Sequence, residues 1–90
     1  MTSTAIADHP MAARGQAYTE LVELVRRRGA LHPKESETLF DAADALLFGE
    51  DHSEDKALKA NHTLDSLAEA ERWTESQTAQ VSKLLALIGG

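Results

Sequence analysis

Four times along the chain, apolar residues recur at intervals of three and four, and each run is cut by a residue that helices use to start or stop. Ala17, Tyr18, Leu21, Val22, Leu24 and Val25 share one sector at about 100° per residue, which predicts a first helix from about Met11 or Gln16 to Arg28. Gly15 weakens its first turn, and Gly29 offers the left-handed conformation that closes a helix. Pro33 restarts the pattern, Leu39, Phe40, Ala43, Leu46 and Leu47 form the second face, and Gly49 ends it. Ser53, followed by Glu54 and Asp55, reads as the N-cap of a third helix ending near Arg72. Its core face is Ala57, Ala60, Leu64, Leu67 and Ala68. Thr74-Glu75-Ser76-Gln77 has the spacing of a capping box, so a fourth helix starts at 75. Val81, Leu84, Leu85 and Ile88 make its stripe, and Leu87 widens it.

Strand signals are scarce, because no stretch alternates apolar with polar residues over several positions. The expected fold class is therefore all-α: a compact bundle of about four short amphipathic helices joined by short loops, with antiparallel neighbours. Residues 10–90 are read as a single helical-bundle domain, and residues 1–9, polar up to Pro10, as a mobile N-terminal arm. A chain of 90 residues buries only about 60% of the surface that its unfolded form exposes. Several helix faces also span roughly 160°, wider than a solvated helix needs. Both observations suit either a helix meeting two neighbours or a homodimer.

The chain contains no cysteine, which removes disulfides, thiolate metal sites, iron-sulfur clusters and cysteine nucleophiles. No apolar run approaches the roughly 18 residues of a membrane span, and the first residues lack the basic and apolar regions of a leader, so a cytoplasmic protein is expected. There is no glycine-rich phosphate loop, no strand-turn-helix elbow and no serine or threonine with an evident local base. This leans away from an enzyme, and no cofactor is expected.

Charge carries more information. Nine Lys and Arg stand against fifteen Asp and Glu, a formal net charge of -6. Residues 1–34 hold five positive and three negative groups, while residues 35–90 hold four and twelve. Glu37, Asp41 and Asp44 fall on one side of the second helix, a row of like charges that either solvent tolerates or a basic partner answers. Arg26, Arg27 and Arg28 suit a helix C-terminus, and they offer pairing to acids of other helices, of a second copy or of a partner protein. Nucleic acid and anionic membranes are disfavoured, since phosphate binding wants a larger basic surface and the net field repels polyanions. Helices three and four have the form of a helix-turn-helix, but the start of the fourth offers Glu75, Ser76, Gln77, Gln80 and Lys83, a poor set for reading bases.

Three local patterns define a rival class, a carrier or small enzyme subunit. His62, Asp65 and Glu69 lie near one another on helix three, where a histidine can bond a carboxylate or two groups can touch one metal. None of the four histidines follows Glu by three residues, so the Glu-x-x-His pattern of di-iron bundles is missing. Asp65-Ser66-Leu67 resembles the phosphopantetheine attachment motif of acyl carrier proteins, which are also small, acidic and four-helical; the resemblance implies a modified Ser66. In that family the serine opens the second helix, whereas Ser66 falls inside the third. The terminal Gly89-Gly90 is similar to the tail of ubiquitin-like modifiers, a strand-rich family, and also to ordinary helix termination. Trp73, the one tryptophan, is either the packing that fixes the junction of helices three and four or an aromatic anchor for a partner. Taken together, these features predict a small interaction protein that binds another protein through Glu37, Asp41, Asp44, the arginine cluster and Trp73, with exposed apolar residues near Phe48, Trp73 or Leu87 supplying contact area.

Overall fold

The proline, the glycines and the capping box that punctuate the sequence open and close helices as their chemistry requires. A computed structural model describes residues 10–90, and the arm expected over residues 1–9 lies outside them. Helix α1 (Pro10–Arg28) starts at the proline and runs through Gly15 unbroken. The Thr19 hydroxyl donates to the Gly15 carbonyl at 3.1 Å, so the weak turn is held locally. Gly29 adopts φ +65° and its N–H returns to the Val25 carbonyl. Helix α2 (Pro33–Phe48) begins with that proline, and the Glu35 carboxylate accepts from the His32 N–H at 2.8 Å. Gly49, also left-handed, ends it.

Helix α3 (Ser53–Glu69) departs from expectation at both ends. His52 rather than Ser53 holds the N-cap position, and it makes no side-chain cap bond. The C-terminus falls at Glu69 instead of near Arg72, because Glu71 takes φ 58° and the N–H groups of Arg72 and Trp73 turn back to the Leu67 carbonyl. Helix α4 (Glu75–Gly89) carries the predicted capping box in full. Gln77 N–H donates to the Thr74 hydroxyl at 3.1 Å, and Thr74 N–H donates to the Gln77 side chain at 2.9 Å. No strand occurs among the described residues, and none of their helices is long and apolar enough to cross a membrane.

Contacts at the helix ends give the direction of each element. Arg14, near the start of α1, donates to the Ile88 carbonyl at the end of α4 and to the Leu46 carbonyl at the end of α2. At the other end of the molecule the Trp73 indole N–H reaches the Gly29 carbonyl, and Arg72 reaches Glu35. Each helix thus runs antiparallel to the next, α4 returns to lie beside α1, and α2 meets α4 across the core. Leu21, Leu39, Leu64, Leu67, Val81 and Ile88 are its largest fully buried side chains. Burying a side chain of this size stabilises by roughly 1.5–3 kcal/mol before the chain entropy is counted.

Small residues set the helix spacing. Ala42, Ala43 and Ala45 are all fully buried on α2. A Cβ on Gly89 would lie 3.2 Å from Leu46 Cδ2, so the diagonal contact is tight at that end. Leu87 does not widen the buried stripe of α4 as expected: it is 53% exposed, because the core-facing sector is already filled by Val81, Leu84, Leu85 and Ile88.

Candidate interaction surface

Folding rearranges the charge that the sequence divides between its two ends. The neighbouring helices α1 and α4 carry five cations and three carboxylates, a balance of +2. Helices α2 and α3 carry three cations and eight carboxylates, a balance of -5. Since α1 packs on α4 and α2 on α3, the molecule has one layer near neutrality and one strongly acidic layer. The far end of the sequence thus joins its beginning.

Within the acidic layer, the predicted row does not act as one unit. Glu37 and Asp41 are exposed on the outer side of α2. Asp44 is half-buried toward α1, where its carboxylate accepts the Tyr18 hydroxyl at 2.5 Å. That hydrogen bond, with burial and the Asp44 charge, raises the Tyr18 phenol above its usual pKa. Asp41 has cationic neighbours that helix two alone does not provide: Lys56 and Lys59 of α3 line the same shallow depression. Lys56 also pairs with Glu50 at 3.7 Å. The outer stripe then continues from Glu37 and Asp41 to Phe48, which is 69% exposed and stands next to the acidic turn Glu50-Asp51.

At the opposite end, Arg26, Arg27 and Arg28 are all exposed at the C-terminus of α1. Trp73 is not exposed beside them. Its side chain is 3% accessible and its indole N–H donates to the Gly29 carbonyl at 3.1 Å, so it packs the junction and does not supply contact area to a partner. Arg72 completes a brace between loops distant in sequence. Its guanidinium donates to both Glu35 oxygens at 2.9 and 2.8 Å and to the Ala30 carbonyl at 2.6 Å. These bonds to Arg72 hold the Glu35 carboxyl below its usual pKa despite an opposing effect of burial. The sequence does not reveal this ion pair, because Arg72 lies in the turn after α3 and Glu35 in the first turn of α2, with no shared periodicity.

The residues of the rival class lie apart from any such assembly. His62, Asp65 and Glu69 are exposed on the outside of α3, and no group of three His, Asp or Glu that could hold a metal occurs among the described residues. Ser66 is exposed within α3, between its ordered turns and not at a helix opening. Helix α4 packs antiparallel along α3, where the Ser82 hydroxyl donates to Asn61 at 3.0 Å, and it shows solvent one cation, Lys83. Comparison of the chain with models of known families, with curated proteins and with solved structures finds no match.

Proposed function

We propose that this protein is a helical-bundle interaction module whose acidic α2 face receives a basic, amphipathic segment of a partner protein. The observation that carries the reading is the outer stripe of α2, on which exposed Glu37 and Asp41 lead to an exposed aromatic residue, Phe48. Carboxylates on such a stripe orient and accelerate the approach of a cationic segment, and a large apolar side chain beside them supplies contact area. The layer imbalance of -5 extends this field over α3. Mechanism is surface occupation, with no bond made or broken.

The test uses two synthetic amphipathic helical peptides, one with lysine and leucine and one with glutamate and leucine, and follows binding by fluorescence anisotropy. The lysine peptide is expected to bind more tightly, with affinity falling as salt rises. The double variant Glu37→Lys, Asp41→Lys should weaken it by roughly tenfold, and Phe48→Ala should weaken it without changing the salt dependence. Asp44 is left intact because it holds Tyr18. Equal affinity for both peptides, or no effect of either variant in a chain of unchanged helicity, would overturn the reading.

A further inference from the structure

The opposite layer has a different character. At 3.6 residues per turn, Ala13, Gln16, Glu20, Glu23 and Arg27 form one continuous outward stripe of α1, and every one of them is exposed. On α4 the corresponding stripe is Ser76, Gln80, Lys83 and Leu87, again exposed throughout. Between them runs a groove floored by Ala17 and Leu84 and overhung by Leu87. The antiparallel register of the two helices follows from Arg14 on the Ile88 carbonyl at one end and Trp73 on the Gly29 carbonyl at the other. Glu20 therefore stands level with Lys83, Glu23 with Gln80, Gln16 with Leu87 and Arg27 with Ser76.

We infer that this α1/α4 face is the contact surface for a second copy of the chain. Two copies related by a two-fold axis parallel to the helices lay α1 of each on α4 of the other. The axis keeps each level unchanged, so Glu20 of one copy meets Lys83 of the other twice over, and Leu87 covers the small Ala13 and the Gln16 stem. The contacting stripes carry two carboxylates and two cations, Glu20, Glu23, Arg27 and Lys83, and so do not repel themselves. The α2/α3 layer, at -5, would repel its own copy, whereas the α1/α4 layer, at +2 with charges of both signs, admits self-association. The face is about 25 Å long and two helices wide, on the order of 500 Å² per copy, at the small end for a specific interface. Association is accordingly weak and concentration-dependent, and it leaves the α2 face free.

Sedimentation velocity of the full chain over a concentration series tests the inference. Glu20→Lys and Lys83→Glu should each weaken the dimer by roughly tenfold, since symmetry doubles every lost pair, and the two together should restore it. Leu87→Glu should give a monomer with the helicity of the parent. Far-ultraviolet circular dichroism and the thermal midpoint at low concentration separate lost association from lost folding. A monomer at every concentration, a dimer indifferent to both single reversals, or a double variant no better than the singles would overturn it. Peptide binding at Glu37 and Asp41 is unaffected by these changes, so this inference and the reading of the acidic face fail independently.

Discussion

Two side-chain pairs tie together segments distant in sequence, and each makes a definite forecast. Tyr18 donates to Asp44, and the folded protein holds the phenol above its usual pKa. A group whose folded pKa is raised contributes stability that is whole below the unfolded value, about 10 for tyrosine, and is lost as pH rises through the folded value. Asp44→Ala should therefore bring the ultraviolet titration of the one tyrosine down toward that of a free phenol. Tyr18→Phe should cost about 1 kcal/mol in urea unfolding at neutral pH, since it leaves a half-buried carboxylate short of a donor. Glu35 has the opposite sign. Its folded pKa is depressed by Arg72, so its contribution is present above the unfolded glutamate value of about 4.3 and disappears as pH falls through the lower folded value. Glu35→Gln should flatten the acid limb of stability in that window, while Arg72→Met should remove roughly 1–2 kcal/mol near neutrality; denaturant midpoints across the acid range check both. Neither pair was legible beforehand, because 26 residues separate one and 37 the other, and periodicity within a helix says nothing of what faces it.

The four helices, by contrast, were written in local chemistry. Pro33, Gly49 and the Thr74 to Gln77 box act within a turn of their own position, so reading them needs no tertiary information. The end of α3 is less legible although its cause is also local: it stops at Glu69 because its last carbonyls receive the N–H groups around a left-handed Glu71, a residue type that does not announce that conformation. Ala42 and Ala45 were missed as core positions, since alanine suits any helix face and signals burial only once a neighbouring helix is known. Leu87 fits its periodicity as a widening of the stripe and also as an exposed apolar residue, and its 53% exposure agrees with the second. Ala30 and Glu71 in the loops both hold φ near 58° without being glycine, a conformation that costs an L-residue roughly 1–2 kcal/mol. Ala30→Gly keeps the carbonyl that Arg72 grips and should stabilise the fold by about 0.5–1 kcal/mol, read as a raised urea midpoint; an unchanged or lowered midpoint would show that the unfolded chain's added freedom offsets the relief.

At the scale of the molecule, the acidic excess is legible in the sequence, and the fold adds how it is arranged in space. Along the chain the excess follows residue 34; in the fold the net-neutral α4 closes onto α1, and the acidic groups of α2 and α3 form a separate layer. This is why Arg26 to Arg28 and the Glu37 and Asp41 pair belong to different faces although few residues separate them. A prediction belongs at this scale: binding of a cationic peptide and self-association should respond to separate sets of substitutions. Anisotropy and sedimentation on Asp41→Lys and Leu87→Glu variants check it, each variant changing one readout and sparing the other. Cross-effects in both would mean that the layers are not independent surfaces.

Trp73 has a use beyond packing. The chain contains one tryptophan, its ring is shielded from water, and its indole N–H is held by a carbonyl of the loop between α1 and α2. Its emission is thus a local optical gauge of whether the two loops at that end stay joined. Phe48 and Leu87 lie near the opposite helix ends, so ligands bound there leave the emission maximum in place. A red shift during a titration then marks opening of that loop junction, whereas contacts confined to Phe48 or Leu87 leave it unchanged, a distinction available in the wild-type chain without any added dye.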